Sequence, residues 1–206
     1  MKRIRVLLAD DHAIVRMGLA SLLGTKKDIE VVGEAEDGES AVRKAVKLAP
    51  DVVIMDLMMP KKDGVAATAE ILHRLPSAKI MILTSYGTSD GIAHALAAGA
   101  SGALMKSTEF SEFVTAIRTI ATGGKVIAPE ISRQFTEDPP VPDLTQRQHA
   151  IMNFVVQGLT NADIARLLGI RKDSVKEHLT AIFAKLGAAN RAEAISIAMR
   201  KHLLKT

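Results

Sequence analysis

Cysteine is missing from all 206 residues, which excludes disulfides, thiolate metal sites and cysteine nucleophiles. A chain without thiols fits a reducing compartment, so a cytoplasmic location is expected. Long apolar runs are missing as well. The stretch that follows Met1-Lys-Arg, from Ile4 to Ala9, is short, interrupted by Arg5 and closed by Asp10-Asp11, so it does not read as a signal peptide. No segment reaches the apolar length that spans a bilayer, and no membrane partner is expected. A third absence is local: strand-like runs are confined to the first 122 residues, and from residue 144 onward only helical patterns occur. The length allows two modest domains, and a 48% hydrophobic content allows each a core.

Charge is unevenly shared. Residues 1–122 carry 15 Lys+Arg against 15 Asp+Glu, so the net charge of +4 lies entirely behind them. From Asp143 on the balance is 10 against 5. A small basic module behind a neutral one suggests a polyanion as partner of the second.

In the first part, strand-like runs at 4–9, 29–35, 52–55, 80–83 and 101–105 alternate with helix-like segments near 12–24, 37–48, 63–74, 89–98 and 108–122. This alternation predicts an α/β fold, a parallel sheet with helices on both faces in the doubly wound order 2-1-3-4-5. Ile14, Met17 and Leu22 give the first helix an apolar period, and Phe110, Phe113, Ile117 and Ile120 give one to the last. Gly24 and Gly99 stand where helix ends accept the left-handed region. Residues 123–143 read as a linker: Pro129 to Phe135 suits a short helix, and Glu137-Asp-Pro-Pro-Val-Pro142 suits an extended chain. Residues 144–206 read as a small all-α domain of four helices, because Thr145 with Gln148, Thr160 with Asp163 and Asn190 with Glu193 each have capping-box spacing before an apolar-periodic run.

The run Val52–Met55 reads as a strand buried on both faces, and it ends in Asp56. Alone, Asp56 would read as a turn residue or a cap. The other strands change that reading, because they end in Asp10-Asp11, Thr84-Ser85 and Lys106. With order 2-1-3-4-5, the first and third strands are neighbours at the topological switch point, where ligands bind beyond the strand ends. Three carboxylates there need a cation, and Mg²⁺ with its oxygen ligands and retained waters suits them best. Lys106 and the Thr84 hydroxyl complete a receptor for a transferring phosphoryl group, with Asp56 as the nucleophile that yields an acyl phosphate.

Asp10-Asp11, Asp56, Pro60-Lys-Lys-Asp-Gly64, Thr84 and Lys106 together resemble the receiver domain of bacterial two-component response regulators, over residues 2–122. The resemblance implies a histidine kinase as phosphoryl donor, Mg²⁺ held by Asp10, Asp11, Asp56 and the Met58 carbonyl, and a phosphoryl group held by Thr84 and Lys106. It also places Met58 and Tyr86 beside the path of the attacking water. Ala103 departs from the family, standing where many receivers carry an aromatic residue that rotates on activation.

In the second part, Thr160–Leu168, a turn at Gly169, and Ser174–Leu186 read as helix, turn, helix. Val175, Leu179, Ile182 and Leu186 form one buried face. The other shows Lys176, Glu177, Thr180, Ala181 and Ala184, with His178 and Lys185 toward its flanks, a pattern suited to a DNA groove bordered by phosphates. Leu144-Thr-Gln-Arg-Gln148, Gly158-Leu-Thr-Asn161, Ser174-Val-Lys-Glu-His178, Lys185-Leu and Arg191-Ala-Glu-Ala194 resemble the helix-turn-helix of NarL/FixJ (LuxR-type) regulators. The resemblance implies that Lys176, Glu177 and Thr180 contact bases and that the helix after Asn190, through Ile195, Ala198 and Met199, makes a homodimer. Arg171 replaces a capping serine, so the recognition helix is expected to begin late or to lean on Asp173.

The combined reading is a non-enzymatic transcription regulator that phosphorylation of Asp56 switches into a DNA-binding dimer. One rival is an aspartyl-phosphate phosphotransferase or phosphatase, but the dehalogenase type wants a second aspartate where Met58 stands. Another is a DNA-binding protein whose first domain is a phosphorylation-independent interaction module.

Overall fold

A computed structural model describes residues 3–85, 89–142, 144–201 and 203. It divides into two compact units, Met1–Pro139 and Pro140–Thr206.

In the first unit, β1 (Ile4–Ala9), β2 (Ile29–Ala35), β3 (Val52–Met55), β4 (Lys79–Thr84) and β5 (Gly102–Met105) alternate with α1 (Ala13–Gly24), α2 (Gly38–Leu48), α3 (Gly64–Arg74), α4 (Ser89–Ala97) and α5 (Phe110–Ala121). The strands pair in parallel in the order expected, and a sixth, β6 (Val126–Ile127), extends the sheet beyond β5. β3 lies inside the sheet with every side chain buried, as its unbroken apolar run requires. Asp37 caps α2 and Asp63 caps α3, each accepting a backbone N–H of the first turn.

Three expectations are corrected here. Residues 123–143 are more than a linker: the short helix expected from Pro129 is present as α6 (Pro129–Glu137), but β6 precedes it, and Ala128 and Ile131 are buried in the core of the first unit. Gly102 permits this docking: a Cβ there would lie 2.3 Å from the Val126 carbonyl oxygen. The apolar period of α1 faces outward, leaving Ile14 85%, Met17 68% and Leu22 45% exposed, whereas Leu23 is buried. Gly24 is not left-handed, since α1 ends at Thr25 in ordinary helical geometry, whereas Gly99 does have positive φ, at 107°.

The second unit holds α7 (Gln146–Val156), α8 (Asn161–Leu168), α9 (Lys172–Leu186) and α10 (Arg191–Arg200) around Ile151, Met152, Ile164, Val175, Ile182 and Ala194. Thr145 and Thr160 form full capping boxes, and Asn190 accepts the Glu193 N–H. α9 begins at Lys172 and so does not start late; Arg171 supplies no side-chain cap, and Asp173 lies in the first turn, the second of the two expectations, where a negative charge favours the helix N-terminus.

If α6 belongs to the first core, Ile131→Ala should lower the stability of the first unit by about 2–5 kcal/mol, the usual cost of emptying a buried isoleucine site. Denaturant unfolding measures it. A change within about 0.5 kcal/mol, as for a surface substitution, would show that α6 is a passive linker.

Candidate functional site

The register of β1 with β3 pairs Ala9 with Met55, so the next residues, Asp10 and Asp56, leave the sheet side by side. The Asp56 N–H bonds the Ala9 carbonyl at 2.8 Å, which fixes the two strand ends to each other. On the far side of β3, Thr84 pairs with Met105, and the Lys106 N–H donates to the Thr84 carbonyl at 2.8 Å. Asp10, Asp56 and Thr84 are buried, and Asp11 is exposed at the rim.

The Lys106 ammonium lies 2.6 Å from Asp10 Oδ2 and donates to Asp56 Oδ2 at 2.8 Å. Asp10 Oδ1 accepts the His12 N–H at 2.8 Å. Asp11 is not a cap, because α1 is preceded by His12 and has no side-chain cap; its carboxylate instead lies 2.7 Å from His12 Nδ1. Asp10, Asp11, His12 and Asp56 each bring a ligand atom within 4.8 Å of the others. Carboxylate oxygens so gathered suit a hard divalent cation. The Met58 N–H turns to the Asp56 carboxylate, and the Met58 side chain is exposed beside the pocket. Tyr86 lies outside the described residues.

Burial pushes the Asp56 carboxyl above its ordinary range; the Lys106 hydrogen bond and charge oppose this, and the Asp10 charge adds to it. For Lys106, burial alone would lower the pKa, but hydrogen bonds to Asp10 and Asp56 outweigh it and the net shift is upward. Lys106 therefore stays charged throughout the neutral range.

In the second unit, Lys176, Glu177 and Thr180 are exposed on α9 together with Ala181 and Ala184, and His178 is half-buried at the edge. Lys185 points back into the module, donating to Gln148 Oε1 at 3.0 Å. On α10, Met199 is exposed but Ala198 is buried within the unit, so Ala198 offers no contact surface. Sequence reasoning missed the work of Arg191, whose guanidinium donates to the Val155 and Leu159 carbonyls and to Asn161 Oδ1, tying α10 to the turn before α8. An arginine just after a helix cap carries no signal of such a bond.

A carboxyl whose pKa the fold raises adds stability below its unfolded value and loses it as pH rises through the folded one. Asp56→Asn should therefore unfold at a higher temperature than the parent in metal-free buffer at pH 7, with the gap closing below the unfolded value of 3.8. Melting curves across pH measure it, and an equal or lower midpoint at pH 7 would contradict the assigned cause.

Residues 6–118 match the family described as the response regulator receiver domain, and residues 142–198 match the bacterial regulatory proteins of the luxR family. The transcriptional regulatory protein LiaR of Bacillus subtilis is 41% identical over 98% of this chain and 99% of its own length. The response regulator protein VraR of Staphylococcus aureus is 36% identical over the same shares. The crystal structure of the response regulator ChrA of a heme-sensing two-component system superposes with a TM-score of 0.59 at 37% identity, over 99% of this chain and 100% of that one. With receiver, acid cluster and helix-turn-helix all present, this chain belongs to the two-component response regulators of the NarL/FixJ family, transcription regulators rather than enzymes, in which a receiver precedes a LuxR-type DNA-binding domain.

Proposed function

We propose that Asp56 accepts a phosphoryl group from a partner histidine kinase and that this modification switches dimerisation and sequence-specific DNA binding by the second unit. The observation that carries the reading is the placement of the Lys106 ammonium between Asp10 and Asp56 at adjacent strand ends. An Asp56 carboxylate oxygen attacks phosphorus as the bond from phosphorus to the donor atom breaks, and the donor leaves with that electron pair. Lys106 turns from the carboxylates to the oxygens of the incoming group, and the Thr84 hydroxyl donates to another of them. Asp10, Asp11, Asp56 and the Met58 carbonyl would hold Mg²⁺. The bound ion supplies charge neutralisation for a phosphoryl group entering an acidic pocket. This places the pocket at a two-state element whose charge changes on modification.

Within the second unit, Lys176, Glu177 and Thr180 face the major groove and read base edges. Glu177 opposes the phosphate field, so its use is discrimination, through a hydrogen bond accepted from a cytosine amine. His178 lies at the edge of this face, toward the phosphates, whereas Lys185 must first leave its bond to Gln148 to reach one, so its contribution is the smaller.

Incubation with acetyl phosphate and Mg²⁺, followed by intact mass measurement, tests the assignment. The parent chain should gain one phosphoryl group, and Asp56→Asn or removal of Mg²⁺ with a chelator should abolish the gain. A full adduct on Asp56→Asn would overturn it.

A further inference from the structure

The loop that leaves β3 returns to α3 through Pro60-Lys-Lys-Asp-Gly64, and its backbone is strained at one residue. Lys61 has φ 65°, and the Lys62 N–H donates to the Pro60 carbonyl at 2.7 Å, closing a three-residue turn of the rare, strained hand. A lysine pays a steric penalty there that a glycine would not. Such a conformation persists only where its surroundings over-determine it. Two neighbours do so here. The Lys61 ammonium donates to Asp37 Oδ2 at 2.5 Å, and Asp37 is buried as the cap of α2, its other oxygen accepting the Ser40 N–H at 2.6 Å. Beside it, Gly38 lets the loop press against α2, since a Cβ there would lie 2.1 Å from the Lys62 carbonyl oxygen. Lys61 holds the Asp37 carboxyl down at about 2, with the Ser40 N–H assisting, so the pair is ionised at neutral pH.

The far end of the same loop carries Met58, whose N–H turns to the Asp56 carboxylate. The Gly64 N–H bonds the Leu57 carbonyl at 2.8 Å, closing residues 57–64 into one short loop that holds both Lys61 and Met58. We infer that Asp37 is a positioning residue of the phosphoacceptor pocket: through Lys61 it holds the strained loop so that the Met58 backbone faces Asp56 and its bound cation. Asp37 touches none of the reacting groups. The inference rests on the proposed reading of the pocket as a Mg²⁺ site, and it adds a residue on α2 to those that set the affinity of that site.

The test uses the full chain. In Asp37→Asn the amide oxygen still caps Ser40 but the attraction for the Lys61 ammonium is lost; Lys61→Ala removes the exposed partner and leaves the cap untouched. Each folded variant should bind Mg²⁺ about tenfold more weakly in a calorimetric titration, the lower end of the loss seen when groups behind metal ligands are removed. The double variant should lose no more than either single one, because both break one contact. The Met58 backbone amide, followed by NMR without metal, should shift in both. A contribution to stability alone would move neither readout in folded protein. Parent-like Mg²⁺ affinity in both variants, or an unmoved Met58 amide, would overturn the inference. If the parent chain bound no Mg²⁺, the reading of the pocket would fail, and the Met58 amide would still decide whether Asp37 positions the loop.

Discussion

Everything at the top of the sheet depends on one ammonium group held between two buried carboxylates. Asp10 and Asp56 are brought together by β1 and β3, whose pairing is fixed by the core beneath them and not by the charges. Unpaired, two such carboxylates would repel each other at low effective dielectric. Lys106 offsets the repulsion from the end of β5, and because Lys106 follows the strand directly, the backbone bond to Thr84 places it. The pocket therefore holds a cationic side chain ready for an anionic guest, and the cost of gathering the charges is met by the sheet.

Much of this was legible in the sequence. A strand buried on both faces must be continuously apolar, so Val52–Met55 was visible, and a parallel sheet sends all its strand ends to one edge, so Asp10, Asp56, Thr84 and Lys106 could be grouped without coordinates. The period of the last helix was equally reliable, with Phe113, Ile117 and Ile120 buried. α1 misled because an apolar period reports a face and not what that face meets: Ile14, Met17 and Leu22 share a side that is turned to solvent. Residues 123–143 misled because a strand of two residues has no period, and the close approach at Gly102 that admits β6 depends on a neighbour distant in sequence.

At the recognition helix, the missing cap at Arg171 did not shorten the helix, since packing of Val175, Leu179 and Ile182 outweighs a single capping bond. The same principle explains Lys185. A lysine at the end of a helix reads as a phosphate contact until a neighbouring helix of the same unit supplies an acceptor, here the Gln148 amide oxygen on α7. Side-chain direction near helix ends is set by tertiary neighbours, which a linear pattern does not contain.

A single helix-turn-helix engages one half-site, whereas a two-fold pair spans adjacent half-sites and multiplies affinity through effective concentration. Under the proposed function, the charge state of Asp56 controls self-association. Sedimentation of the full chain with Mg²⁺, with and without acetyl phosphate and with Asp56→Asn alongside, tests that link directly. The predicted result is a largely monomeric parent that dimerises on phosphorylation, with Asp56→Asn remaining monomeric; a dimer of equal strength in all three samples would contradict it.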